Sequence, residues 1–291
     1  MKLKGRTKGL LYFIGISLAL IIIGIICILY LQEYLFFPKC FSEASYNELL
    51  TYSNQEYEEF KIDNNGDNLN GWVRFNVSPE KKSPLLIFFV GNYQDSSGLL
   101  VNFAKNDMYK YFENYNIMAI DYPGYGLSDG APSDKTMFDA AIKTYDYAIN
   151  QEYVDTDNIV VLGYSIGTGV ATYLASERNV SGLILVSPYD RALSLYNDAL
   201  NIFYGPIKLL AKYKFNSIEY APKISVAPLI FTSYNDGVIN YKFSLNLAKH
   251  FKNVYKTVVL ENVTHVGYFN QEEVLNDIYG YLQNVLQKVE N

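Results

Sequence analysis

Hydrophobic and polar positions divide the chain into one long apolar block and a series of short apolar runs set between amphipathic segments. Leu10 to Leu31 runs for 22 residues without a charge, and as a helix rising 1.5 Å per residue it would be roughly 33 Å long, enough to cross a bilayer. Beyond it, Leu85–Val90, Ile117–Ile120, Asn158–Leu162, Leu183–Val186, Leu229–Thr232 and Thr257–Leu260 are β-rich runs separated by helical patterns. That alternation predicts a parallel sheet. Several runs are apolar throughout, as expected of strands covered by helices on both faces. Two earlier segments, around Tyr57–Ile62 and Trp72–Val77, flank Asn64-Asn65-Gly66-Asp67, which reads as a turn, so they are expected to form an antiparallel hairpin at one edge. Helical patterns include Thr168–Glu177, Tyr241–Phe251 and a terminal segment from about Gln271.

The expected organisation is a basic N-terminus at 1–9, a transmembrane anchor at 10–31, a connecting segment at 32–56 and one α/β domain at 57–291, with a cap-like insertion at about 190–227. In the connecting segment, Tyr34, Phe36 and Phe37 suit a membrane interface. In the insertion, Leu193, Tyr196, Leu200 and Phe203 recur at helical spacing, as expected either of packing on the sheet or of a small cap over an acyl-binding groove.

Charge gives the anchor a direction. The 291 residues hold 24 Lys and Arg against 30 Asp and Glu, a net charge of −6, which argues against a nucleic-acid binder held by phosphate contacts. Lys2, Lys4, Arg6 and Lys8 precede the apolar run with no acid among the first nine residues. Removing these four from the 24 basic residues leaves 20 against 30 acids, a net of −10 for the rest. Only Lys39 lies close behind the run, so the positive-inside rule puts the N-terminus in the cytoplasm and the folded domain outside. The run is longer than a signal-peptide core and leads into Gln32 and Glu33 without a small-x-small cleavage site. Two cysteines, Cys27 within the run and Cys40 just beyond it, form neither a disulfide framework nor a structural zinc site.

Candidate chemistry begins at Gly163-Tyr164-Ser165-Ile166-Gly167, which follows a predicted strand and opens a predicted helix. Such an elbow turns sharply and presents a serine above the sheet, with flanking glycines where a Cβ would clash. The free N–H of Ile166 at the helix start is then placed to stabilise an oxyanion. A serine hydroxyl needs a histidine base oriented by a carboxylate, and the chain has two histidines. His250 lies near the end of a predicted helix, where a solvated or capping role is expected. His265 follows the last predicted strand, in the kind of loop where parallel sheets carry catalytic groups. Asp236 follows the strand Leu229–Thr232, giving the chain order Ser165, Asp236, His265. Asp190 and Asp121 are rival carboxylates.

With these residues the chain resembles the α/β-hydrolases, in particular the bud-emergence-related serine-hydrolase group, which includes membrane-associated and protein-depalmitoylating relatives. The resemblance covers most of residues 57–288. Besides the elbow it rests on Phe88-Phe89-Val90-Gly91-Asn92, on the stretch from Asp121 to Gly130 and on Ser187-Pro188-Tyr189. It implies that the Asn92 N–H joins that of Ile166 in an oxyanion hole, and that the Asp121 stretch is a structural loop beside the site. The chain departs from the pattern at Val90, where relatives usually have His, and at Ser233 and Asn240, where Gly and Pro are common. The expected function is a membrane-anchored serine hydrolase of the carboxylesterase, lipase or thioesterase kind, acting on small or lipid-like acyl esters. No metal or organic cofactor is implied, and no protein partner is named. The competing expectation is a catalytically silent hydrolase-fold module that binds a lipid or protein partner at the membrane.

Overall fold

A computed structural model describes residues 5–38, 40–52, 56–64 and 66–289. Lys2, Lys4, Lys39 and the turn residue Asn65, each used above, lie outside the described residues. The apolar run forms α1 (Gly5–Phe36), then α2 (Glu43–Leu49) precedes the sheet. The stretch of α1 long and apolar enough to cross a membrane, Lys8–Tyr34, has no buried residue in its most apolar 18-residue window, whereas Gln32 near its end is buried.

Eight strands among the described residues form one sheet: β1 (Tyr57–Asn64), β2 (Asp67–Arg74), β3 (Ser83–Phe89), β4 (Asn116–Ile120), β5 (Val154–Tyr164), β6 (Gly182–Val186), β7 (Leu229–Ser233) and β8 (Lys256–Leu260). Their order is β1-β2-β4-β3-β5-β6-β7-β8. β1 pairs with β2, and β2 with β4, antiparallel, while every other pairing is parallel. Leu85 to Phe89 are wholly buried, as residues pointing to both faces must be when helices cover both. The helices packed on the sheet are α3 (Ser96–Lys105), α4 (Asp134–Ala148), α5 (Ile166–Glu177), α8 (Tyr241–Ala248) and α9 (Glu272–Val289), while α6 (Ala192–Leu200) and α7 (Ser217–Tyr220) lie in the insertion between β6 and β7. Local capping fixes several starts: the Asp95 side chain accepts the Gly98 N–H at 2.6 Å ahead of α3, and Ser133 forms a reciprocal capping box with Thr136 ahead of α4.

The edge hairpin is present, but its second strand starts earlier than the aromatic and β-branched residues suggest. Asn64 faces Asp67 across a two-residue loop, so pairing begins at the turn, and β2 ends at Arg74. The segment expected merely to connect is also different. Phe36 and Phe37, expected at a membrane interface, are buried. Phe36 lies 4.6 Å from the Tyr196 ring and Phe37 4.5 Å from that of Tyr213, because the aromatic residues of the insertion offer them a protein surface. Tyr34 remains exposed.

One close approach sets the geometry above the sheet. β3 has β4 on one side and β5 on the other, so the connections leaving the carboxyl ends of β3 and β5 diverge and open a crevice there. α5 starts in that crevice so close to β3 that a Cβ on Gly167 would stand 2.2 Å from the Phe89 carbonyl oxygen and 2.7 Å from that of Val90. Gly167→Ala should therefore destabilise the fold by about 1–3 kcal/mol through overpacking. Thermal unfolding would register this as a lower midpoint, by about 2–4 °C per kcal/mol for a domain of this size; an unchanged midpoint would mean that α5 does not pack this tightly.

Candidate active site

Ser165 stands between the last residue of β5 and the first of α5, with φ +53° and ψ −120°. A non-glycine residue at positive φ is strained and persists only where its surroundings fix it. Here the Ser165 N–H donates to the Val186 carbonyl at 3.0 Å, the Thr168 hydroxyl donates to the Ser165 carbonyl at 2.6 Å, and Gly167 admits the neighbouring strand. Ile166 is the first residue of α5, so its N–H has no partner inside the helix. Asn92 lies across the crevice in the turn after β3. That turn is shaped by the Gly91 N–H, which donates to Gln94 Oε1 at 3.1 Å, and by the Tyr125 hydroxyl, which donates to Asn92 Oδ1 at 3.2 Å. Ser165, Ile166 and Asn92 line one cavity of ≈ 160 Å³ together with Phe36, Tyr196, Leu200 and other apolar residues.

The loops after β7 and β8 bring the other two residues to the serine. His265 Nε2 lies 2.8 Å from Ser165 Oγ, and its Nδ1 lies 3.0 and 2.9 Å from the two carboxylate oxygens of Asp236. Sequence alone did not reveal the network behind Asp236. The Ser187 hydroxyl donates to Asp236 Oδ2 at 2.6 Å and the Tyr268 hydroxyl donates to the same oxygen at 3.0 Å. The Val238 and Ile239 N–H groups donate to Oδ1 at 2.9 Å each. Burial alone would raise the Asp236 pKa, but the hydrogen bond and charge of His265, with the donors from Ser187 and Ile239, hold it below the usual carboxylate range. Burial, and then the Asp236 charge, push the Tyr268 phenol upward, so it stays protonated and remains a donor. On the other side of the imidazole, the Tyr164 hydroxyl donates to the His265 carbonyl at 2.6 Å and its ring stacks on the imidazole at 5.4 Å.

The rival residues are engaged elsewhere. His250 Nδ1 lies 2.9 Å from the Asn246 carbonyl at the end of α8. Asp190 accepts from the Arg191 N–H and from Asn246 Nδ2, at 2.7 Å each. Asp121 accepts the Ser96 N–H at 2.7 Å and the Leu127 N–H at 3.2 Å; burial pushes its pKa up to about 6. It anchors the loop whose Tyr122 hydroxyl donates to the Val90 carbonyl at 2.8 Å.

The departures from the family pattern each have a local account. Val90 is buried at the end of β3. The Ser233 hydroxyl accepts the N–H groups of Asn235 and Val263, at 3.2 Å each, and so links the loop of Asp236 to that of His265. Asn240 caps α8 by accepting the Lys242 N–H. Among the described residues no group of three or more His, Cys, Asp or Glu side chains converges to hold a metal ion.

Known proteins are similar to this chain in part of its sequence and in its fold. Residues 84–221 match the family described as alpha/beta hydrolase fold. The chain is 28% identical over 134 residues to the alpha/beta hydrolase domain-containing protein aho-3 of Caenorhabditis elegans, covering 46% of this chain and 39% of that protein. It is 31% identical over 153 residues to the alpha/beta hydrolase domain-containing protein 17C of Xenopus tropicalis, covering 52% and 47%. The chain thus spans under half the length of these relatives. In fold it is similar to Est1E of Butyrivibrio proteoclasticus, with a TM-score of 0.64 and 20% identity over 78% of this chain and 99% of that one. The esterase Pf2001 of Pyrococcus furiosus gives a TM-score of 0.65 at 17% identity, covering 86% and 98%. With the elbow at the carboxyl end of β5, the sheet order and the matched segment taken together, the chain has the α/β-hydrolase fold, and its residues 84–221 are similar to the family of that name.

Proposed function

We infer that this protein is a serine hydrolase, held at a membrane by α1, that cleaves carboxylic esters or thioesters through an acyl-enzyme. The observation that carries this assignment is the relay of Ser165 Oγ to His265 Nε2 at 2.8 Å, with His265 Nδ1 on Asp236. As Ser165 Oγ attacks the acyl carbon, its proton passes to His265 Nε2. The oxyanion that forms is received by the N–H groups of Ile166 and Asn92, each such donor typically worth about 3 kcal/mol. Collapse of this intermediate expels the alkoxide or thiolate, which takes the proton from His265. Water then gives a proton to His265 while its oxygen attacks the acyl-enzyme, and return of that proton to Ser165 releases the carboxylic acid. Asp236 keeps its charge throughout, holding the imidazole in the required tautomer.

Anchoring rests on the 27 residues of Lys8–Tyr34, roughly 40 Å of helix against about 30 Å of hydrocarbon. The basic residues before it support an N-terminus in the cytoplasm and a catalytic domain on the outer side. α6 stands over the cavity with Leu195, Tyr196, Ala199 and Leu200, as suits a small cap for an acyl group.

A fluorophosphonate probe on the full chain in detergent tests the assignment. Labelling at Ser165 is expected, with its loss in Ser165→Ala and His265→Ala and its retention in His250→Ala. A folded chain that does not label would overturn it in favour of a silent binding module. Ser187 and Tyr268 are positioning residues that act through Asp236. Because a hydrogen bond to a charged group contributes about 1.5–3 kcal/mol, Tyr268→Phe and Ser187→Ala should each lower kcat on a p-nitrophenyl ester about ten-fold or more with KM unchanged. A lower melting temperature with kcat intact would assign them a structural role only.

A further inference from the structure

The segment between α6 and α7 is unlike the rest of the domain surface. Leu209 is 81% exposed, Tyr204 59%, and Ile207 and Ile202 are also open to solvent. Residues 199–218 contain Lys208, Lys212 and Lys214 and no Asp or Glu, although the chain beyond the first nine residues is strongly acidic. Exposed aliphatic and aromatic side chains mixed with lysines are the composition of a segment lying at a lipid headgroup boundary.

Its position agrees with its composition. Gln32, within the apolar stretch Lys8–Tyr34, is buried. Its Nε2 donates to the Leu210 carbonyl at 3.0 Å and its Oε1 accepts the Lys212 N–H at 2.7 Å. Lys212 Nζ lies 3.1 Å from Glu33. These bonds fix Ile207 and Leu209 level with the last turns of the apolar helix, where a crossing helix meets the headgroups. The same unit reaches the site: Phe36, one turn past Gln32, packs on Tyr196 of α6, and both line the cavity of Ser165. The Tyr196 hydroxyl in turn accepts the Tyr213 N–H at 3.1 Å.

We propose that residues 201–214 are seated in the surface of an anionic phospholipid bilayer, forming one membrane face with the end of α1, and that the acyl chain of the substrate enters the cavity from that face. This rests on the anchored serine-hydrolase assignment above and deepens it, naming acyl esters or thioesters presented at a bilayer as the substrate class. The cavity itself, ≈ 160 Å³, is close to one that holds a single benzene. A longer chain must therefore extend beyond it, and the wall formed by Phe36 and α6 directs it toward the lipid.

The test uses the full chain in vesicles of phosphatidylcholine and phosphatidylglycerol. In a Cys27→Ser, Cys40→Ser background, an environment-sensitive fluorophore is placed by Leu209→Cys or by Val77→Cys. Val77 is an exposed residue just past the end of β2. Brominated lipid is expected to quench the label at 209 several-fold more than the label at 77, and equal quenching would overturn the proposal. Leu209→Glu and Ile207→Glu should lower turnover of a long-chain ester embedded in the vesicles about ten-fold while hydrolysis of a water-soluble short-chain ester stays within two-fold. Equal loss on both substrates, or on neither, would also overturn it. The failures are distinguishable. A chain that does not float with the vesicles removes the anchor and this proposal together. Preferential quenching at 209 with no hydrolysis of either ester by the unsubstituted chain keeps the membrane face and removes the serine-hydrolase assignment.

Discussion

The contact between the first turn of α5 and the end of β3 is the constraint on which the remainder of the site depends. A helix can begin that close to a strand only if no Cβ intervenes, and Gly167 meets that condition with the Phe89 and Val90 carbonyl oxygens against it. Ser165, the residue before α5, stands at φ +53° at this approach, with its hydroxyl 2.8 Å from His265 Nε2. The approach also brings the free N–H at the start of α5 beside the turn after β3, so the two proposed oxyanion donors share one crevice. The strained serine is tolerated because β5 lies in the middle of the sheet, paired on both sides.

Behind the histidine the problem is different: a carboxylate with no exposed side-chain surface must remain charged. Desolvation penalises that charge, and removing it from water without compensation would cost several kcal/mol. Compensation comes from donors on separate elements: the loop after β6 through Ser187, the turn holding Tyr268, two backbone N–H groups of the loop after β7, and His265 itself. The Ser187 backbone stands at φ +53°, like that of Ser165. A hydroxyl aimed at Asp236 thus sits on a second strained turn at the end of a strand. The bonds of Ser233 to Asn235 and Val263 tie the loop of Asp236 to that of His265.

Much of this was legible in the sequence because it is local or periodic. Apolar runs located the parallel strands to within a few residues, and the elbow pattern singled out Ser165. The strand-then-loop positions of Asp236 and His265 distinguished them from Asp190 and His250, which the structure finds bonded elsewhere. What escaped depends on contacts between residues far apart in the chain. Ser187 and Tyr268 meet Asp236 across 49 and 32 residues; the Ser187-Pro188-Tyr189 motif marks the first without showing that it reaches Asp236, and nothing near Tyr268 marks the second. β2 was misplaced because propensity favoured Trp72–Val77, whereas the turn at Asn64 and Asp67 dictates where pairing starts. Phe36 and Phe37 suited an interface by type alone, and only the fold supplies Tyr196, Tyr213 and Phe215 to bury them.

That burial couples α1 to the cavity of Ser165. Each phenylalanine withdrawn from water contributes about 1.5–3 kcal/mol, and although Gln32 Nε2 also donates to the Ile28 carbonyl of its own helix at 3.2 Å, its buried Oε1 would be unpaired without the Lys212 N–H. The end of α1 is therefore held by the insertion, and the insertion is held in place by α1. Since Phe36 is also a wall of the cavity, a fragment lacking the helix would lose both a wall and the support of α6. On the function proposed above, the acyl preference of such a fragment would differ from that of the intact chain even with Ser165, His265 and Asp236 undisturbed. A helix that only tethered the domain would need no such contacts; these make its last turn part of the proposed acyl site.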